Sequence, residues 1–594
     1  MNTALHTAAE FEQMLGPARD RNTVFGYAAC ADLDEREEFP EAIARQLDGL
    51  GLCAKYVPIE YGGRLRTYEE LLQLMRMVAR RDLTVAIGHG KTYLGAVSAW
   101  VAATPEQAHR FGTDVAAGTV VSWGLTEQEH GSDLLAGELT ATPADDGYRL
   151  DGEKWLINNA TRGERICVLA RTSPDGGPRG FSLMMVDKRE LDPQSHRPLP
   201  RSRTHGIRGA DISGIAFDGA VVTADSLIGT EGTGLETVLK SLQITRTLCA
   251  ALSLGAADQG LRLALDFTLD ARRYGRAVAE LPQTTRTLTE YYADLLIGEA
   301  VSTVASRALH TLTEEHSVTA AVVKYLLPTS VDRMLTGLGQ VLGLRSVVRA
   351  DPDGAYGICP YGRFQKTERD HRIVGIFDGN TLVNLNALID QFPTLVRRYR
   401  RGTDGADTAG PVAAARLCGP LPPFDRNRLV LASRTGNTVV ATLSASAARL
   451  DEQAEAGLIP QRVARLAGQL ARHTDTLHDR MAAIRRTARD VPSEAFEIAE
   501  EYVLCHAAAA CLLLWLHNAP ERVVPDDPAP DAALWRDACW LQAALARIQA
   551  RLTPGGAQPD GDALDALYPQ LVAQHREGLL FSLLYCPVSE EAPA

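Results

Sequence analysis

The chain has 594 residues, of which 45% are hydrophobic and 23% are charged, and its formal net charge is -13. This length exceeds what one hydrophobic core supports, so we expect three to five domains. The composition is that of a globular protein, and the negative charge argues against general nucleic-acid binding. The ten cysteines are scattered without a C-x-x-C pair, and no histidine cluster has metal-ligand spacing. The sequence therefore predicts reduced thiols, no metal site and a cytoplasmic location.

The N-terminal residues lack the basic-then-apolar layout of a secretion signal. The longest apolar run, residues 507–516, is too short to span a bilayer. We expect a buried helix there and no membrane span.

Periodicity divides the chain into five segments. Residues 1–120 carry apolar side chains at helical spacing, broken at 57–63 by a proline and paired glycines. Residues 121–233 have strand patterns separated by Asp, Gly and Pro clusters, and residues 234–398 return to the helical period. Residues 399–428 look like a linker, and residues 429–594 are again amphipathic helix without a catalytic motif or a convincing repeat.

The most informative segment is residues 124–160, GLTEQEHGSDLLAGELTATPADDGYRLDGEKWLINNA. A polar loop whose glycine allows close approach of a ligand precedes a turn at 145–147 and a strand. The segment resembles the flavin-binding middle domain of acyl-CoA dehydrogenases and acyl-CoA oxidases, with its TEP-x-x-GSD loop and its strand ending in W-I-T-N. Five further segments of this chain resemble patterns of the same family, and the family pattern is given in parentheses after each. They are residues 57–63 (VPEEYGG), 227–232 (LLGxEGxG), 267–276 (R-x-x-F-G), 340–343 (QxxGG) and 369–381 (RDA-x-x-x-x-IYEGT).

The resemblance covers roughly the first 395 residues and implies a fold. We expect an α+β, mostly α protein of the acyl-CoA dehydrogenase type. Its N-terminal helical domain would be 1–120, its middle β-barrel-like domain 121–233, and its C-terminal four-helix domain 234–398. A linker, 399–428, and an accessory helical domain, 429–594, would follow.

The resemblance also implies a site. The cofactor would be FAD, and the residues expected to hold it are Leu125, Thr126, Gly131, Ser132, Trp155, Ile157, Asn158, Arg272, Arg273, Gln340, Gly343 and Asn380. Gly379, within the same resemblance, is expected to bind substrate, and Arg201, Arg203 and Arg208 are expected to do so because they belong to the basic segment described below.

Asp378 stands where the family has its catalytic glutamate. Removing hydrogens from Cα and Cβ of an acyl thioester needs a base for the Cα proton and a flavin for the Cβ hydride. The alternative for Asp378 is purely structural, because aspartate commonly caps the N-terminus of a helix and a helix is expected to open here.

Several positions depart from the family pattern. The aspartate is one methylene shorter than glutamate, and the other departures are Leu156 for the flavin-packing tryptophan, Asn158 for threonine, Ala271 for arginine and Leu344 for glycine. An amide at Asn158 still donates a hydrogen bond to a flavin.

Basic residues cluster between His196 and Arg208. The forked guanidinium group of arginine is well suited to bind phosphate. One interpretation of this segment is therefore a clamp for the phosphates of coenzyme A or of the pantetheine arm of a carrier protein. The alternative is a solvated loop.

We therefore expect α,β-dehydrogenation of an acyl thioester, carried by coenzyme A or an acyl carrier protein, in specialised lipid or natural-product metabolism. The alternatives are an acyl-CoA oxidase or nitroalkane-oxidase-like enzyme that uses O₂, and a flavin-free scaffold relative. The expected electron acceptor is an electron-transfer flavoprotein or O₂, and the expected assembly is a homodimer or homotetramer.

Overall fold

The computed structural model describes residues 2–349, 362–402, 408–487, 490–522, 530–553 and 561–591. Their contacts form two compact units: residues 1–20, 67–81 and 246–594 in the first unit, and residues 21–66 and 82–245 in the second. The first unit is helical apart from a short hairpin, and the second contains the large sheet.

The helices in chain order are α1 (Thr3–Met14), α2 (Tyr27–Arg36), α3 (Glu41–Gly49), α4 (Tyr68–Arg81), α5 (Leu83–Ala102), α6 (Pro105–Ala116), α7 (Gly234–Leu248), α8 (Ala250–Asp270), α9 (Pro282–Thr311), α10 (His316–Leu342), α11 (Arg363–His371), α12 (Thr381–Ile389), α13 (Phe392–Tyr399), α14 (Ala409–Ala415), α15 (Thr438–Ala441), α16 (Leu443–Glu455), α17 (Gln461–Ala483), α18 (Ser493–Arg522), α19 (Pro530–Trp535), α20 (Cys539–Leu552), α21 (Gly561–Asp565) and α22 (Tyr568–Arg576). The strands are β1 (Val121–Gly124), β2 (Thr140–Ala144), β3 (Gly147–Asn158), β4 (Arg165–Arg171), β5 (Phe181–Asp187), β6 (His196–Leu199), β7 (Ile212–Thr223), β8 (Leu227–Ile228), β9 (Arg272–Arg273) and β10 (Arg276–Ala277).

The sheet of the second unit has eight strands. Its order is β6-β7-β3-β2-β4-β5-β8, and β1 pairs in parallel with β4. The two long strands β3 and β7 are antiparallel, and their register shifts twice, once between Trp155 and Ile157. Leu150, Ile166 and Ile215 lie in the buried core of this sheet. A register shift bends a strand and redirects its side chains, and this one lies in the predicted cofactor segment.

Helix α5 lies close to the sheet. It packs against β1, and a Cβ added at Gly95 would lie 2.5 Å from the carbonyl oxygen of Val121. Only glycine allows this approach of helix and strand.

The first unit is built around α8, α9 and α10, with α4 packed on α8. The apolar run at 507–516 lies within α18 and is buried, as predicted. Only one helix of the described chain, residues 493–519, has the length and composition of a membrane span, and 89% of its most apolar stretch is buried inside the protein. Such burial is typical of a core helix.

A helix lies within the predicted linker. Residues 403–407 lie outside the described residues, but 409–415 form α14, which packs on α9. The Arg307 guanidinium donates to backbone oxygens of this segment, Ala414 at 3.1 Å and Gly419 at 3.1 Å among them. The predicted domain boundaries stay predictions.

A buried cluster of charges joins distant parts of the first unit. The Arg80 guanidinium forms ion pairs with both Glu12 and Glu590, and the side chains of Arg80 and Glu12 are fully buried. Backbone hydrogen bonds run from Ala18 to Ser589 (2.9 Å) and from Arg19 to Glu590 (2.8 Å). Burial alone would raise the pKa of Glu590, but the surrounding arginines hold this pKa well below its ordinary value.

Candidate functional site

In the second unit, two hydrogen bonds hold the predicted flavin loop against β3. The Trp155 amide donates to the Thr126 carbonyl at 3.1 Å, and the Thr126 hydroxyl donates to the Trp155 carbonyl at 2.9 Å. Both residues are half-buried. The structure therefore brings together Thr126 and Trp155, which are 29 positions apart in the chain.

A buried ion pair also stabilises this loop. The Lys154 ammonium lies 2.7 Å from the Glu127 carboxylate and donates to the Leu125 carbonyl at 3.1 Å. The amides of Glu138 and Leu139 donate to the same carboxylate at 2.7 and 3.1 Å. Burial would raise the pKa of Glu127, but Lys154 and these amides outweigh it and lower the pKa.

The end of β3 has an unusual backbone. Leu156 has φ 59° and Asn159 has φ 60°, which are left-handed values for residues other than glycine. Leu156 is 43% exposed, whereas the Asn159 amide is anchored by donating to the Gly88 carbonyl at 2.7 Å. The strained segment therefore exposes Leu156 and holds Asn158 next to the anchored Asn159.

The side-chain amide of Asn158 makes no hydrogen bond to any other described residue. Both its Nδ2 and its Oδ1 are buried, and neither has a partner among the described residues. Leaving a buried polar group unpaired costs roughly 1–3 kcal/mol. An amide with a free donor and a free acceptor fits the polar edge of an isoalloxazine ring.

Sequence reasoning missed Trp123 on β1. Its indole Nε1 is also buried without a partner among the described residues, and the next residues are the flavin loop. A tryptophan at the end of a strand, directly before that loop, was the available signal.

The other predicted residues of this segment are less enclosed. Ile157 is buried in β3 and Leu125 is half-buried, whereas Gly131 and Ser132 are exposed. Gly131 has φ 53°, so the loop turns there as its glycine suggests.

In the first unit, Asp378 occupies a strained turn. It has φ 57° and is followed by Gly379 with φ 92°, and α12 begins only at Thr381. The side chain of Asn380 caps this helix by accepting from the Val383 amide at 3.0 Å. The purely structural alternative for Asp378, a helix cap, is therefore wrong, because Asn380 holds that position. Asn380 was predicted to bind FAD, and the structure gives it this capping role.

The junction of α7 and α8 holds the Asp378 turn. Arg246 Nε donates to the Asp378 carbonyl at 2.8 Å, and the Cys249 thiol donates to the Asp378 carboxylate at 3.7 Å. Gly379 has φ 92°, a left-handed backbone that favours glycine, and a Cβ there would also lie 2.7 Å from a guanidinium nitrogen of Arg246. Burial lowers the pKa of the Arg246 guanidinium, and the Asp378 carboxylate opposes this shift. Arg246 and Cys249 were not predicted.

The remaining predicted cofactor residues are on the surface of the first unit. Arg272 and Arg273 form the exposed strand β9, and Tyr274 at its turn is 95% exposed. Gln340 and Gly343, at the end of α10, are also exposed.

The basic segment lies in the second unit, where its arginines are paired. Arg203 forms a 2.9 Å ion pair with Glu37, Arg201 donates to the Arg208 carbonyl, and Arg208 donates to the His205 carbonyl at 3.3 Å. An open pocket of about 480 Å³ lies beside the segment and is lined by Phe39, Arg162, Pro198, Leu199 and Arg201. Its wall combines apolar surface, two guanidinium groups and the carboxylate of Asp211, which accepts hydrogen bonds from the Thr161 and Arg162 backbone amides.

Three family comparisons cover most of the first 392 residues. The N-terminal domain of acyl-CoA dehydrogenase matches residues 26–119, the middle domain matches residues 122–220 and the C-terminal domain matches residues 232–392.

Among curated proteins, the probable acyl-CoA dehydrogenase FadE25 of Mycobacterium tuberculosis is 30% identical over 251 residues, which are 42% of this chain and 64% of that protein. The chain thus spans just under two thirds of this relative. The cyclohex-1-ene-1-carbonyl-CoA dehydrogenase of Geobacter metallireducens is 27% identical over 57% of this chain and 89% of that protein.

Solved structures show the same fold. Butyryl-CoA dehydrogenase from Megasphaera elsdenii has a TM-score of 0.58 at 21% identity, covering 65% of this chain and 96% of its own. An acyl-CoA dehydrogenase complexed with FAD from Bacillus anthracis has a TM-score of 0.67 at 17% identity, covering 97% of this chain and 95% of its own. The predicted fold class is confirmed, and the second likeness extends through the additional C-terminal helices.

Proposed function

Because the chain belongs to the acyl-CoA dehydrogenase family, we propose that it is an FAD-dependent oxidoreductase that removes hydrogens from Cα and Cβ of an acyl thioester. Family membership supports FAD as the cofactor, as the sequence predicted. The observation that carries the proposal is the pair of unpartnered buried amide atoms of Asn158 beside the anchored Thr126 loop.

In this proposal, Thr126, Trp155 and Asn158 would hold the isoalloxazine ring of FAD, which when bound would supply the hydride acceptor for Cβ. The side-chain amide of Asn158 would find hydrogen-bond partners on the flavin, and the Lys154–Glu127 pair keeps the loop in position. Trp123, on β1, offers a further indole donor that has no partner among the described residues.

Asp378 takes the Cα proton on its carboxylate. The Arg246 contact to its backbone and the Cys249 contact to its Oδ2 orient the side chain. A fixed carboxylate loses little entropy when it reacts. The Asp378 carboxylate does not cap α12, because Asn380 is the N-cap of that helix.

The thioester carrier is proposed to be coenzyme A or an acyl carrier protein, with its phosphate near Arg201 and Arg203. The pocket beside Arg201 supports this, because it offers apolar surface and guanidinium groups together. The acceptor is proposed to be an electron-transfer flavoprotein, with O₂ as the alternative. The homo-oligomer, the cytoplasmic location and the role in specialised metabolism stay predictions.

The first test is flavin binding. We expect the native protein to carry FAD, with absorption bands near roughly 370 and 450 nm. Asn158→Leu should lose most of the flavin because it removes both amide atoms, whereas Asn158→Thr, the family residue, should retain it. A native protein that stays colourless after incubation with FAD contradicts the proposal and favours the scaffold alternative.

The same preparation separates dehydrogenase from oxidase. Turnover with an artificial electron acceptor, and no peroxide when the acceptor is omitted, is the expected result. Peroxide formed at the rate of substrate consumption would instead establish the oxidase.

The basic segment is tested by charge reversal. Arg201→Glu with Arg203→Glu should raise KM about tenfold or more, since charge reversal replaces attraction for the phosphate with repulsion. The effect should be larger at low salt. Arg197→Glu is the matched control, because Arg197 is an exposed arginine of the same segment to which no phosphate contact is assigned. It pairs with Glu153 at 2.8 Å, much as Arg203 pairs with Glu37 at 2.9 Å. Unchanged KM for both coenzyme A and carrier-protein substrates would leave the segment a solvated loop.

A further inference from the structure

Three side chains with different metal-binding atoms meet in the second unit. The Cys53 thiol lies 2.9 Å from Asp48 Oδ1, and His89 Nε2 lies 3.0 Å from the same oxygen. The three ligand atoms all lie within 4.8 Å of one another. They come from three elements: the end of α3, the 3₁₀ turn 53–56 and the middle of α5.

The backbone is shaped to make this meeting. The Gly51 amide donates to the Asp48 carbonyl at 2.9 Å, and Gly51 has φ 80°, so the chain reverses between residues 48 and 53. This turn directs Asp48 and Cys53 to the same side, against the face of α5 that carries His89.

We propose that Asp48, Cys53 and His89 bind one zinc ion. Thiolate, imidazole and carboxylate are the ligands that zinc takes in proteins, at about 2.3, 2.0 and 2.0–2.2 Å. Around a tetrahedral ion these bond lengths separate the ligand atoms by about 3.3–3.6 Å. The two hydrogen-bonded distances must therefore open by about half an ångström. Asp48 moves most easily, because its side chain is 41% exposed, whereas that of His89 is 6% exposed.

Tyr56 completes the arrangement. Its fully buried hydroxyl lies 2.7 Å from His89 Nδ1. A histidine that ligates metal through one nitrogen almost always donates its other N–H to an oxygen, which fixes the ring and its tautomer. The Tyr56 oxygen is the acceptor for that bond.

The protons balance. Without metal, the Cys53 S–H and the His89 Nε2–H both donate to Asp48 Oδ1. When zinc binds, the thiol releases its proton to solvent, and the imidazole proton moves from Nε2 to Nδ1, facing Tyr56. Water takes the fourth position, since Asp48 opens to solvent.

Cobalt spectroscopy tests the site. The native full-length protein is stripped with a chelator and titrated with Co²⁺ without oxygen. We expect a thiolate-to-cobalt charge-transfer band in the near ultraviolet, which is measured as a difference spectrum because bound flavin also absorbs there. We also expect d–d bands of tetrahedral cobalt at wavelengths longer than flavin absorbs. Both sets of bands should saturate at one equivalent and disappear when zinc is added. Cys53→Ser should abolish the charge-transfer band, and His89→Gln should weaken affinity at least about tenfold.

Cys418→Ser is the matched control, because Cys418 is an exposed free cysteine, and its titration should equal that of the native protein. If Cys53→Ser does not fold, Asp48→Asn, which keeps the size of the side chain, should still lose most of its cobalt affinity. A native protein without these bands, or a Cys53→Ser protein with the same bands, would overturn the proposal and leave a hydrogen-bonded cluster. Flavin content is measured in the same samples, so the result is independent of the proposed activity.

Discussion

Replacing Asp378 with asparagine should leave a folded, flavin-containing protein whose flavin is reduced by substrate about 10²–10⁴-fold more slowly, the usual contribution of a general base. Asparagine keeps the size of the side chain and tolerates the left-handed backbone that Asp378 adopts at φ 57°. It does not take up a proton at neutral pH. Stopped-flow measurement of flavin reduction under anaerobic conditions gives the rate directly.

Two further variants make this result specific. Asp390→Asn makes the same change at an exposed position at the end of α12 and should reduce its flavin at the native rate. Asp378→Glu restores the family residue and should keep measurable activity, although glutamate is less well suited to the left-handed turn. Reduction of Asp378→Asn at the native rate would place the base elsewhere.

Replacing Lys154 with methionine should destabilise the second unit by about 3–5 kcal/mol, because it leaves the buried Glu127 carboxylate without its cation. The side chains of Lys154 and Glu127 are only 2% and 9% exposed, so water does not replace the lost partner. For a unit of this size the unfolding temperature should fall by roughly 10 °C. Thermal unfolding of the flavin-free protein measures this effect separately from cofactor binding.

The matched control for this prediction removes both charges. Lys154→Met with Glu127→Gln leaves no buried ion and should recover most of the lost stability. The native pair also predicts a pH dependence. Since the pKa of Glu127 is lowered in the folded protein, its contribution is present above the ordinary glutamate value of about 4.3 and is lost as the pH falls below it. A single variant as stable as the native protein would show that the pair contributes little.

The sequence predicted those parts of the site that lie in continuous segments. Thr126 and Asn158 belong to motifs that can be read along the chain, and the structure gives both a distinctive environment. The sequence also predicted that the Asp378 carboxylate lies at the start of a helix. In the structure, Gly379 at φ 92° delays the start of the helix, and Asn380 is its N-cap. Helix caps depend on the backbone turn and not only on residue type.

Partners distant in the chain were not predicted. Arg246 contacts Asp378, which is 132 positions away in the chain, and no local sequence pattern predicts that contact. The cluster of Asp48, Cys53 and His89 was not predicted for the same reason. Its residues have no recognised metal-ligand spacing in the sequence, and only the packing of α3, the 3₁₀ turn and α5 brings them together. Local periodicity gives elements, whereas contacts between elements require the tertiary structure.

The buried pairing of Arg80 with Glu12 and Glu590 has a consequence for how the protein is made. The second unit is complete once residue 245 has left the ribosome, whereas the first needs residues near both 12 and 590. At roughly 5–20 residues per second, the intervening synthesis lasts on the order of half a minute. During that time the Arg80 guanidinium lacks Glu590, one of the two carboxylates with which it is buried in the complete unit. The sheet unit can therefore fold as it emerges, and the helical unit is completed last.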